Sequence, residues 1–87
     1  MTHLPDRPRI SRLFRLQWEE VQNSHVLLYP EGMITLNQSA GEILQRCDGL
    51  RNIAAIVNEL ELAFSAEGLL ADVEEFLGIA LQRGWIA

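Results

Sequence analysis

Few side chains in this 87-residue chain are equipped for covalent or acid–base chemistry. Neither His3 nor Cys47 stands at metal-site spacing from His25, and Cys47 is the sole cysteine. The paired carboxylates Glu19-Glu20 and Glu74-Glu75 are sequence neighbours, so they diverge on a strand or a helix and act as solvated charges. A nucleophile–base pair, a glycine-rich phosphate loop and a CxxxCxxC run for an iron–sulfur cluster are all missing from the sequence. The chain is therefore read as a binding module and not an enzyme, with no cofactor and no metal. The chemistry left to it is that of the main chain, the N–H and C=O groups of a strand edge with no neighbour. Such an edge needs elements to hold it.

At this length one domain is expected, burying only about 60% of its unfolded surface, so a partner would help it. Composition is 48% hydrophobic and 22% charged, and no apolar run approaches the ~20 residues of a membrane helix. The N-terminal MTHLPDRPRI has the pattern of neither a signal nor a transit peptide, and a cytoplasmic location is expected. The lone cysteine rules out an intrachain disulfide. Charge is segregated. Residues 1–15 hold Arg7, Arg9, Arg12 and Arg15 against Asp6, whereas the remainder holds three arginines against eleven carboxylates, and lysine is absent. The acidic body disfavours phosphate backbones and favours neutral or basic partners. Residues 1–9, with Pro5 and Pro8, are expected as a flexible basic arm preceding a domain over residues 10–87.

Phe14, Leu16 and Trp18 alternate with Arg15, Gln17 and Glu19, the period of a half-buried strand. His25 to Tyr29 is apolar on both parities and is expected at the centre of a sheet. Pro30-Glu31-Gly32 reads as a tight turn, Pro fixing the first corner and Gly supplying a positive φ, with Met33 to Leu36 returning. A meander of this order leaves its first and third strands at the edges. If the helices cover Val26 and Leu28, then His25, Leu27 and Tyr29 lie on a second face that the N-terminal arm or a second copy of the chain must shield, which makes a homodimer a candidate assembly.

Three helical runs follow. Ala40, Ile43, Leu44 and Cys47 form one apolar stripe, started by Asn37 or by the box Ser39-Ala-Gly-Glu42 and stopped at Asp48-Gly49. Cys47 on that stripe is read as a buried small hydrophobe, while Gly41 inside the helix has no evident role. Ile53, Ile56, Val57 and Leu60, behind an Asn52 cap, repeat the spacing and Phe64 extends it. The third helix is expected over Glu67 to Arg83, with Gly84 as its stop and Trp85-Ile86 anchoring it. Its core stripe is Leu69, Val73, Phe76, Leu77 and Ala80. Ile79 stands beside Asp72, Glu75 and Arg83, a mixed border suited to a groove wall.

Arg15-Leu-Gln-Trp-Glu-Glu20, Val26-Leu-Leu-Tyr-Pro-Glu-Gly-Met-Ile-Thr-Leu-Asn37, Glu42-Ile-Leu-Gln-Arg-Cys-Asp-Gly49, Asp72-Val-Glu-Glu-Phe-Leu77 and Arg83-Gly-Trp-Ile86 together resemble the PqqD family of pyrroloquinoline quinone biosynthesis, from about Ile10 onward. The resemblance implies an α+β, winged-helix-like fold, a three-stranded antiparallel β-meander followed by a three-helix bundle. It also implies a non-catalytic peptide chaperone that binds the ribosomally made precursor PqqA and presents it to the radical S-adenosylmethionine enzyme PqqE. The site it implies has the guest paired with Met33, Ile34, Thr35 and Leu36 and lying against Asp72, Glu75, Phe76 and Ile79. Winged helices also bind DNA, which makes a DNA-binding protein the alternative. Asp72, Glu74 and Glu75, against Arg83 alone, make that third helix a poor match for phosphates, so no nucleic-acid partner is expected.

Overall fold

The computed structural model describes residues 3–87, and Met1 and Thr2 lie outside the described residues. The elements run β1 (Arg15–Glu19), β2 (Ser24–Tyr29), β3 (Gly32–Thr35), α1 (Gln38–Gln45), α2 (Ile53–Ala63) and α3 (Leu70–Gln82). The strands form one antiparallel sheet in the order β1-β2-β3. This is the sheet-then-helices order expected from the sequence.

Register fixes which face is which. Leu27 stands opposite Leu16 on one side and Ile34 on the other, and all three belong to or pack on the main core. The core face of β2 therefore carries His25, Leu27 and Tyr29, not Val26 and Leu28, reversing the parity expected above. The cause is α1. A Cβ added to Gly41 would sit 2.8 Å from His25 Nδ1, so the missing side chain lets α1 lie directly on β2 at that histidine. Gly41 thereby acquires the role that the sequence did not reveal. On the opposite face Val26 is fully buried between Gln17 and Thr35, and the Thr35 hydroxyl donates to Gln22 Oε1 at 2.9 Å, tying the β1–β2 loop to β3. On the face that was to be shielded by a second copy, Leu27 is fully buried in the chain's own core and His25 lies under α1, while Tyr29, at the strand end, is half-buried beside Phe14.

The β2–β3 turn also departs from expectation. Gly32 lacks a positive φ, and an added Cβ there would meet the tip of the Tyr29 side chain, its hydroxyl at 3.3 Å. Asn37 is the cap of α1, its side chain accepting from the Ala40 amide at 2.8 Å, and Asn52 caps α2 through Ala55 at the same distance. The α3 helix begins later than expected because Gly68 takes φ +71 just before it. The Leu69 amide is satisfied from outside by Glu61 Oε2 at 3.0 Å.

The stretch expected as a free arm is tied down at positions 7 to 9. The Arg7 guanidinium donates to the Leu50 carbonyl at 2.8 Å, the Pro8 carbonyl accepts from the Gly49 amide at 3.0 Å, and the Pro8 side chain is fully buried. Arg9 and Ala87 exchange amide–carbonyl bonds at 3.1 and 2.9 Å, and the Ser11 amide donates to Trp85 at 2.8 Å. Trp85 and Ile86 are thus clamped into the core, as anchoring residues should be.

Candidate functional site

Among the described residues β3 pairs only with β2, so one of its sides is open. Its outward groups follow from a single bond. The Leu36 amide donates to the His25 carbonyl at 3.0 Å, and antiparallel partners alternate between bonded and non-bonded pairs. The Leu27–Ile34 pair, two residues along, therefore bonds inward as well, whereas Met33 and Thr35 turn their N–H and C=O groups to the open side.

That alternation sorts the residues proposed from sequence. Leu36 spends its N–H on His25 and its side chain on the core, where it is 5% exposed, so it supports the edge without offering groups to a guest. Ile34 is half-buried on the helix-facing side. Met33 and Thr35 are exposed, but their side chains lie on the face away from the helices, so what they offer toward the edge is backbone. On α3, Asp72 and Glu75 are exposed, Ile79 is 41% exposed, and Phe76 is half-buried with its ring 6.4 Å from that of Trp85. Ile34 and Phe76 each pack against the same core cluster.

A cleft of roughly 300 Å³ opens where β3 leads into α1, and the sequence did not anticipate it. Ile43, Leu60, Phe64 and Val73 supply apolar wall, with Glu42 and Asp72 adding carboxylates. Phe64 is the residue the helical stripe pointed to without a role. It sits past the end of α2, 46% exposed, and lines this cleft. Apolar wall with acidic groups suits a peptide segment carrying an apolar side chain beside a Lys or Arg.

Cys47, Asp48 and Arg51 are structural. Burial, and next the Asp48 charge, push the Cys47 thiol up to about 12, and its Sγ donates to the Ile43 carbonyl at 3.4 Å. Native protein should accordingly resist a thiol reagent such as DTNB at pH 8 and react fully once unfolded in guanidinium. Rapid labelling of the native form would contradict a buried, inert cysteine. Asp48 is held below the usual carboxylate range by the Leu50 amide first, with the Arg51 amide and guanidinium adding to it. A lowered value of this kind contributes stability above the ordinary carboxylate range that is lost as pH falls through the lowered value. Arg51 also bonds Glu59, and Arg46 pairs with Glu42 and Glu59, so the network staples α1 to α2. No group of three or more His, Cys, Asp or Glu arranged to hold a metal occurs among the described residues, and no helix there is long and apolar enough to cross a membrane.

Comparison with known proteins bears on this arrangement. The profile of the family described as "Coenzyme PQQ synthesis protein D (PqqD)" matches residues 24–86, which includes the open strand and α3. The chain belongs to the PqqD family. A relative from Azotobacter vinelandii is 55% identical over 86 residues, covering 98% of this chain and 94% of that one, and is called a PqqA binding protein. A relative from Methylococcus capsulatus with the same designation is 52% identical over 77 residues, covering 88% and 83%. Among solved structures, the PqqD part of Methylobacterium extorquens PqqCD matches with a TM-score of 0.73 and 29% identity over 99% of this chain and 96% of that one. That protein is described as a functional, stand-alone recognition element for ribosomally synthesized and post-translationally modified peptides. That structure shares the sheet-and-helices frame of this chain.

Proposed function

We propose that this protein is a peptide chaperone of pyrroloquinoline quinone biosynthesis, binding the precursor PqqA as an added strand along β3 and presenting it to PqqE, with no catalysis of its own. The observation that carries this is the pair of residues, Met33 and Thr35, whose main-chain groups face an empty side of the sheet. Relatives named for PqqA binding, and a recognition element of the same fold, support it. Strand addition gives sequence-tolerant affinity through the backbone, while Ile34, Phe76 and Ile79, with the cleft beyond, select side chains. A peptide fresh from the ribosome would be met in the cytoplasm. Pairing into a homodimer was inferred from a sheet face that the chain itself covers, so one copy suffices for the proposed role. Duplex DNA is a poor alternative, since Asp72, Glu74 and Glu75 are all exposed on α3.

Titrating labelled protein with PqqA and following amide shifts tests the site directly. The largest shifts are expected at 33–36 and 72–79; shifts confined to the Arg46–Glu59 region would place binding elsewhere. Reversing charge at Asp72 or Glu75 with arginine should weaken PqqA several-fold and flatten the salt dependence of its affinity, because rim charges act through a screened field. An unaltered salt slope would mean that these carboxylates do not face the peptide.

A further inference from the structure

Resting on the hand-over to a modifying enzyme proposed above, we infer that the turn at the start of β1 is the surface on which that enzyme docks, through carboxylates that pair Arg12 and Arg15 around a recess for Leu13. The Phe14 amide donates to the Ser11 carbonyl at 3.0 Å, so Arg12 and Leu13 occupy the corners of a tight turn. Turn corners favour polar residues, yet Leu13 is 72% exposed and absent from the core cluster. Folding does not require a leucine there. Arg12 and Arg15 flank it, both exposed, and among the described residues only Arg46 and Arg51 have a carboxylate within ion-pair distance. Two guanidiniums and an apolar side chain therefore stand together without partners. They border a shallow hollow of roughly 460 Å³ whose floor includes Leu28 and Tyr29, with the Phe14 and Tyr29 rings braced 5.5 Å apart beneath it.

Charge complementarity selects the occupant. The first fifteen residues are net positive and the rest strongly negative, so a carboxylate-bearing protein surface is repelled by the body and drawn to the basic segment, in which this turn sets two guanidiniums around an exposed leucine. Arginines around an exposed leucine match a protein surface, with an apolar recess ringed by acids, better than they match a nucleic-acid backbone. Geometry allows both sites to be filled at once. β1 and β3 are opposite edges of the sheet, separated by β2, so a guest strand on β3 leaves the β1 turn free.

The test measures affinity of the full chain for purified PqqE, with PqqA bound, at two salt concentrations. The double variant Arg12→Glu/Arg15→Glu should lose at least tenfold in PqqE affinity and most of its salt dependence, and Leu13→Asp should lose several-fold. Both should keep PqqA affinity within twofold and an unchanged near-ultraviolet circular dichroism spectrum, which separates docking from misfolding. PqqE affinity left intact in the variants would overturn the surface while sparing the hand-over. Failure of the unaltered protein to bind PqqE overturns both. Self-association or duplex-DNA binding that the double variant abolishes, with PqqE binding retained, would reassign the patch to a second copy or to phosphates.

Discussion

Thr35→Pro is expected to lower affinity for PqqA by at least tenfold while leaving the helical circular dichroism nearly unchanged. The size follows from what one proline removes. The Thr35 amide faces the empty side of β3, so its loss deprives a guest of one backbone donor, and the pyrrolidine ring obstructs the guest's approach at the same point. One hydrogen bond contributes about 0.5–1.5 kcal/mol, and the obstruction adds to it, which brings the total to tenfold or more. The native ladder survives because β3 bonds to β2 through Ile34 and Leu36. Two controls sharpen the measurement. Thr35→Ala removes the hydroxyl bond to Gln22 without touching the amide and should bind nearly as well as the parent. Ile34→Pro strikes an inward-facing amide and should instead destabilise the whole sheet. Unchanged PqqA affinity in Thr35→Pro would remove β3 as the binding edge.

The second large effect concerns folding. Gly41→Ala in an ordinary helix would stabilise by about 1 kcal/mol, but here it should destabilise by about 1–3 kcal/mol, lowering Tm by roughly 5–15 °C. An added methyl would lie 2.8 Å from His25 Nδ1, 3.1 Å from its Cβ and 3.2 Å from its Cγ, and the last two contacts lie close to the backbone of β2, where little can yield. The remedy is specific: Gly41→Ala combined with His25→Ala should regain part of the loss, since the contacts with Nδ1 and Cγ go with the ring while the 3.1 Å approach to Cβ stays. His25→Ala alone would also leave the Trp18 ring without its edge contact at 5.0 Å, so the double variant should not fully reach the parent. A stabilised Gly41→Ala protein would show that α1 can shift off the sheet without cost.

The helices were legible because their information is local. Asn37 and Asn52 sit one residue before α1 and α2 and cap them, and the stripe from Ala40 to Cys47 is buried along its length. The sheet was legible as elements and their order but not as faces. Val26, Leu27 and Leu28 are all apolar, so alternation carries no sign along β2, and the tie is broken by Gly41 meeting His25 from sixteen residues away. The same limit applies to the site. The strand Met33 to Leu36 and the helix carrying Asp72 to Ile79 were legible as elements from their pattern, whereas the division into outward-facing Met33 and Thr35 and inward-facing Ile34 and Leu36 depends on hydrogen-bond register, which no residue type encodes. The cleft beside Phe64 is formed by three helices meeting, and only the stripe running past the end of α2 hinted at it.

β3 is four residues long, and only two of them turn their amides outward, so a visiting chain can make at most about four main-chain bonds there. At about 1 kcal/mol each, such a grip adds modest affinity whatever the sequence and leaves the choice of guest to side-chain contacts. Dwell times set by so few bonds are short, and dissociation absorbs most differences in affinity. A longer strand would hold cargo harder and release it more slowly. On the proposed reading, the shortness of this one would favour a carrier that can be emptied and reloaded many times within the life of a single enzyme.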